Sequence, residues 1–269
     1  MPLLWLRVAL VFYGLGLVYT LFWLARRPKG GARGLIPALA LGAAFQAVSL
    51  VEVSVLRHDL VPTTLAHAES LLAWLMMLVF LGFWARYKAA APAALVLPLV
   101  FLLTLGAEFG SQAPAFSSPL ARTSWIFVHV TLIFIGYAGL FLSLAASILY
   151  LLQERRLKSK SPVSGRMPAL AVIDQIGYRS LLVGFPFMTL GLVAGAVVAQ
   201  VEFGARFFND PKILLSILLW LVYLVLLYTR WSAGWRGKRS AYLATAACLA
   251  AVVTWAANYF SGTHRFLGP

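Results

Sequence analysis

From Trp125 to Leu152 the chain carries no acid, no lysine and no arginine. A stretch of that kind is longer than the roughly 20 apolar residues, at about 1.5 Å each, that a helix needs to cross a bilayer. It is not alone. Comparable runs recur over about 3–25, 35–56, 64–85, 91–106, 124–152, 181–201, 212–230 and 240–260, the fourth being the shortest. Hydrophobic residues make up 62% of the 269 and charged residues only 11%, with a mean hydropathy of +0.88. A water-soluble domain of this size has no interior able to hide so much apolar surface. The expected class is all-α: a polytopic integral membrane helix bundle of eight transmembrane helices, forming a single membrane domain over 1–269. The first run lacks a basic leader and a small-residue cleavage site, so it reads as a retained span.

The net charge of +14 invites a nucleic-acid reading, which its distribution argues against. Sixteen of the 22 Lys and Arg fall in one alternating set of links, the largest group being Arg155, Arg156, Lys158, Lys160, Arg166 and Arg179. The opposite set holds Arg7, Arg57, Arg122, Arg206, Lys212 and Arg265. Short loops rich in Lys and Arg stay in the cytoplasm, so both termini are expected outside. The basic charge is then a topology signal that also favours anionic lipid headgroups. Cys248 is the single cysteine and lies in the last span, which excludes an intramolecular disulfide and a thiolate cluster.

The cytoplasmic link 153–180 begins with the polar QERRLKSKSPVSGR and reads as a loop. After it, Leu170, Ile173 and Ile176 at helical spacing suggest a short interfacial helix ahead of the sixth span. Gly191 and Gly195 form a small-xxx-small pair in that span, read as a site of close helix packing or, second, as room for a flat ligand. Pro186 is a candidate kink.

Ionisable groups inside a membrane are costly and tend to mark function. His129 lies about 7 Å below the outer end of its span at 1.5 Å per residue, and His67 about one turn into its own. His58 falls in an outer loop and His264 in the outer tail, so all four histidines gather towards one face. Glu52, Glu69, Gln200 and Asn258 lie at the same level. A lone buried histidine is usually satisfied by a nearby carbonyl or carboxylate; several at one depth favour a shared ligand. Imidazole suits zinc, copper and haem iron. Zinc prefers a compact set with Cys or carboxylate ligands and HxxxH-type spacing, which is missing. Haem needs two axial imidazoles, an apolar slot and cations for its propionates. Aromatic residues at 14% and cations such as Arg206 at the outer level suit it best. Depth alone pairs His129 with His67.

One set of segments goes beyond composition. HVTLIFIGYAGLFLSLAASILYLLQERRLK (129–158), IDQIGYRSLLVGFPFMTLGLVAGAVVAQ (173–200), FGARFFNDPKILLSILLWLVYLVLL (203–227), GWRGKRSAYL (234–243) and SGTHRF (261–266) resemble the haem-handling membrane proteins of cytochrome c assembly, the CcsA/CcmC type. The resemblance covers roughly the last 150 residues; earlier, only the span pattern and ESLLAW (69–74) share it. It implies a histidine opening the fifth span, His129, followed by an aromatic residue two turns on, Tyr137. It also implies haem b held by His129 and His264, the metal ligands, on either side of an outer loop. Arg206 and Phe207 lie in that loop, and His67 and His58 are left for a second site or for haem entry. A structural hydrogen bond from His67 to Glu52 or Glu69 competes with that role.

The loop departs from the family pattern. Phe203, Phe207 and Asn209 stand where assembly proteins carry tryptophans, while Asp210, Pro211 and Lys212 remain. This brings the chain towards the HemX-like branch, which is associated with haem biosynthesis and the level of glutamyl-tRNA reductase. The expectation is a non-enzymatic haem-binding protein of a bacterial cytoplasmic membrane. Its partners would be haem, the lipid bilayer and a haem-biosynthesis or cytochrome-biogenesis protein, with no nucleic acid. The alternatives are a cofactor-free membrane regulator of such an enzyme, a b-type electron-transfer cytochrome and, with least support, a transporter.

Overall fold

The computed structural model describes residues 4–26, 34–57, 62, 64–110, 124–160, 168–203, 210–235 and 237–257. Among them are eight helices and no strand: α1 (Leu4–Arg26), α2 (Leu35–Arg57), α3 (Leu65–Tyr87), α4 (Ala93–Phe109), α5 (Ser124–Lys158), α6 (Leu170–Phe203), α7 (Pro211–Trp231) and α8 (Lys238–Ala256). Seven of the eight are long and apolar enough to span a bilayer. The shortest is α4, with 17 residues, or about 25 Å at 1.5 Å per residue. Large apolar side chains such as Val18, Val51, Leu190 and Leu218 point outward, as lipid-facing helices require. The all-helical polytopic membrane bundle expected from the apolar runs is what forms.

Two spans differ from their expected bounds. The segment expected to be a separate interfacial helix is the first third of α6, which runs unbroken from Leu170 through Pro186 to Phe203. Ile173, Ile176 and Leu181 are all fully buried, so one apolar face continues across the polar residues between them. Helix α5 extends past 152 to Lys158, where Lys158 donates to Glu154 at 2.7 Å one turn back. Basic residues in that last turn also complement the helix C-terminus.

The chain divides into two compact units, Met1–Pro114 and Ala115–Pro269. In the first, α1 packs on α2, α2 on α3, α3 on α4, and α4 returns to α1. Its interior is pinned by a polar chain: Tyr13 donates to Gln46 Oε1 at 2.8 Å, and Gln46 Nε2 donates to the Ser70 carbonyl at 3.1 Å. Trp74 Nε1 adds a bond to the Ala43 carbonyl at 3.0 Å. Such bonds across helices do in lipid what apolar burial does in water.

The second unit repeats the cyclic order with α5, α6, α7 and α8. Its α5–α6 interface is a seam of small residues in antiparallel register. A Cβ on Gly136 would stand 2.9 Å from Met188 Cβ, and one on Gly139 would stand 2.7 Å from the Ser180 carbonyl oxygen and 3.0 Å from Gly184 Cα. Glycine is required where backbone meets backbone this closely. Beside the seam, Leu140, Leu181, Met188, Leu219, Tyr223 and Leu226 form the unit's buried core.

The seam yields a contrast between two substitutions. Gly139→Ala forces α5 and α6 apart and is expected to cost roughly 1–3 kcal/mol as overpacking. Gly177→Ala, whose Cβ would meet Ala146 Cβ at 3.4 Å and the Ser143 carbonyl oxygen at 3.6 Å, is expected to unfold with the wild type. Thermal unfolding in detergent compares them, and equal midpoints for the two variants would disprove the seam.

Candidate functional site

Helix α5 begins at Ser124, so His129 falls in its second turn, where the seam reaches the end that the charge bias assigns to the outside. The register brings Ile133 against Gly191 and His129 against Gly195. A Cβ on Gly191 would stand 2.9 Å from Ile133 Cδ1 and 3.0 Å from its backbone nitrogen. A Cβ on Gly195 would overlap the His129 ring, whose atoms are its three nearest neighbours. The room between these glycines is thus filled by protein: the aliphatic Ile133 and the imidazole. The packing reading holds at Gly191, where the α5 backbone comes close; at Gly195 the space is taken by the imidazole, and the second reading, a slot between the two for a flat ligand, does not hold.

His129 Nδ1 lies 2.6 Å from the Gly191 carbonyl oxygen. A carbonyl oxygen can only accept, so Nδ1 carries the hydrogen and donates it. Nε2 makes no hydrogen bond among the described residues, and the side chain is half-buried. An imidazole held by one nitrogen and free at the other is the form in which proteins present histidine to a metal. By its donor chemistry, the His129 ring is able to ligate a haem iron through Nε2.

The remnant Asp210, Pro211 and Lys212 opens α7. Asp210 is the N-cap, accepting from the Lys212 backbone N–H at 2.8 Å, and Pro211 takes the first helical turn, where its missing N–H costs nothing. Lys212, the second residue of α7, lies within electrostatic reach of both Asp210 and His129. Tyr137 lies eight residues beyond His129, about 12 Å along the α5 axis. It packs against the buried core of the unit.

His67 belongs to the first unit. It is buried near the start of α3, where its backbone N–H donates to the capping Thr64 Oγ1 at 3.1 Å. Glu52 Oε2 is buried without a hydrogen bond among the described residues, and the Glu69 carboxylate lies against Gly106 of α4. No group of three or more His, Cys, Asp or Glu able to hold a metal ion occurs among the described residues. His58, Arg206, Phe207 and His264 lie outside the described residues.

Composition gave no sign of a second polar centre, at the end of this unit opposite His129. Arg230 of α7 donates to Asp174 Oδ2 at 2.8 Å, to the Asp174 carbonyl at 3.2 Å and to Ser240 Oγ at 2.8 Å. Its guanidinium carbon stands 5.1 Å over the Tyr178 ring, and its side chain is 6% exposed. Beside it, Ser147, Tyr150, Asp174 and Ser240 help to line a cavity of about 10 Å³, room for one water. Every hydrogen bond here ties α6, α7 and α8 together, so this centre is a structural clasp. The only signal in sequence was an acid and an arginine in apolar surroundings 56 residues apart.

Residues 64–264 match the family model described as "Cytochrome C assembly protein". Among curated relatives, a cytochrome c biogenesis protein CcsA of Prochlorococcus marinus (strain MIT 9312) is 32% identical over 165 residues, covering 54% of this chain and 53% of its own. A protein of the same name from Heterosigma akashiwo (strain NIES-293 / 8280G21-1) is 28% identical over 214 residues, covering 65% of this chain and 66% of its own. That from Prochlorococcus marinus (strain MIT 9301) is 30% identical over 216 residues, covering 71% and 70%. The chain spans between about half and two thirds of the length of the first two.

The clasp makes a prediction independent of any ligand. Asp174→Ala leaves the Arg230 charge buried without its carboxylate and is expected to cost about 3 kcal/mol. Adding Arg230→Met is expected to recover most of that loss in detergent unfolding; a double variant less stable than the single one would contradict the pairing.

Proposed function

The chain belongs to the cytochrome c assembly protein family, and from that premise we propose that it is a membrane haem-handling protein whose His129 is an axial ligand to haem b. The observation that carries this reading is the state of the His129 ring. Nδ1 is committed to the Gly191 carbonyl while Nε2 has no hydrogen-bond partner among the described residues. Bound haem supplies an iron with two axial positions and two propionate carboxylates. Toward it, the chain offers an acceptor nitrogen whose ring is tied to α6 by the bond from Nδ1 to the Gly191 carbonyl. His264 is the second ligand in this reading, and His67 and His58 serve haem entry or a second site. Arg206 pairs with a propionate, and Phe207 belongs to the apolar wall.

The protein carries haem and does not transform it, so it is not an enzyme in this reading. The phenylalanines and Asn209 in the outer loop, in place of tryptophans, are the reason to assign it to the HemX-like branch. Its partner would be a haem-biosynthesis or cytochrome-biogenesis protein, and its place the cytoplasmic membrane of a bacterium. Its multi-pass membrane character and its cytochrome c assembly kinship support the membrane placement and the link to cytochrome biogenesis.

The test is a haem titration of the purified protein, followed in the Soret region. Wild type is expected to bind one equivalent of haem with a low-spin spectrum. His129→Ala is expected to lose more affinity than the roughly 10–100-fold that follows loss of a residue behind a ligand. Spectra of His129→Ala and His264→Ala indistinguishable from wild type would exclude the assignment.

A further inference from the structure

Gly191 and Gly195 are one helical turn apart, yet they meet different things. Gly191 faces Ile133, including its backbone nitrogen, so its smallness serves the approach of α5 to α6. At Gly195, the nearest atoms to a built Cβ are Cε1, Nδ1 and Nε2 of His129 alone. An added methyl there would meet the end of a movable side chain first, with no α5 backbone atom nearer than Nε2 at 3.2 Å. The closest demand for a missing side chain at 195 therefore comes from a side chain, not from the α5 backbone. It is set by where the imidazole lies, and the imidazole lies there with Nδ1 at 2.6 Å from the Gly191 oxygen.

We propose that Gly195 and the Gly191 carbonyl act together as a positioning device that holds His129 as its Nδ1–H tautomer and leaves Nε2 as the only lone-pair nitrogen. The carbonyl selects the tautomer because it has no hydrogen to give. The notch at Gly195 fixes the ring's place against the α6 backbone, without which the bond to Gly191 is not reached. One neutral imidazole has one donor and one acceptor, so committing the donor to the Gly191 carbonyl settles which nitrogen keeps its lone pair. The use made of Nε2 rests on the haem reading; the tautomer and the role of Gly195 do not.

The experiment is nitrogen NMR of the full-length, haem-free protein labelled with [15N]histidine, in nanodiscs at a pH where the ring is neutral. His129 is assigned by its loss in His129→Ala. Wild type is expected to show a protonated Nδ1 and an unprotonated Nε2. Gly195→Ala is expected to fold, to shift His129 to Nε2–H or to a mixture, and to weaken haem binding about 10–100-fold. Gly177→Ala, in the same seam away from the ring, is expected to change neither. Wild-type protein with Nε2–H, or a Gly195→Ala spectrum identical to wild type, overturns the proposal. A correct tautomer that Gly195→Ala disrupts, together with equal haem affinity in wild type and His129→Ala, leaves the device standing and removes the haem reading. Should Gly195→Ala fail to fold, the double variant with His129→Ala decides. Recovery to the stability of His129→Ala supports the collision with the ring, and no recovery means the methyl strikes something else and the proposal is wrong.

Discussion

The closeness of α5 to α6 is the constraint on which the second unit depends. Lipid is as apolar as leucine, so two spans gain little by hiding leucines from it. They gain by bringing backbones near enough for many weak contacts at once. Gly136, Gly139 and Gly184 make that approach possible, and the register they set continues to the helix ends. His129 inherits its position from this register. Its hydrogen bond to Gly191 is possible because α6 has already been brought within reach of α5. The same seam that stabilises the unit thus orients the His129 ring.

The two ends of the unit handle polarity in opposite ways. At the end away from His129, Arg230 has its guanidinium committed to Asp174 and Ser240, with the Tyr178 ring beneath it. Charge buried there is neutralised within the protein, as a low-dielectric setting demands. At the other end, the His129 ring keeps one nitrogen uncommitted among the described residues. A saturated centre suits a joint, and an unsaturated one suits a site.

The spans were legible because length and apolarity speak directly to a bilayer. Their bounds were less so. Asp174, Gln175 and Arg179 interrupt the apolar run and made the start of α6 look like a separate interfacial helix. Those polar residues are tolerated because Asp174 finds Arg230, a partner that no local window contains. The residues where α5 meets α6 near His129 were legible to a similar degree. His129 could be singled out by its type and depth, and Gly191 and Gly195 by their spacing. That the imidazole itself occupies the space between helices was not readable, since spacing along one helix does not say what its neighbour inserts. The buried chain of Tyr13, Gln46 and Ser70 went unnoticed for a like reason: each residue is unremarkable alone, and only the packing of α1, α2 and α3 brings them together.

The cyclic order of helices within each unit bears on how the protein is made. All the neighbours that close the first ring, α1 to α4, lie in the first 114 residues. Chains are synthesised from the N-terminus at about 5–20 residues per second, and units tend to fold as they emerge. The first bundle can therefore assemble, with its buried Gln46 already satisfied, while the ribosome is still producing α5. Nothing in that bundle's own ring has to wait for a strand of chain not yet in the bilayer, so insertion can proceed in two instalments, each complete in its own helices.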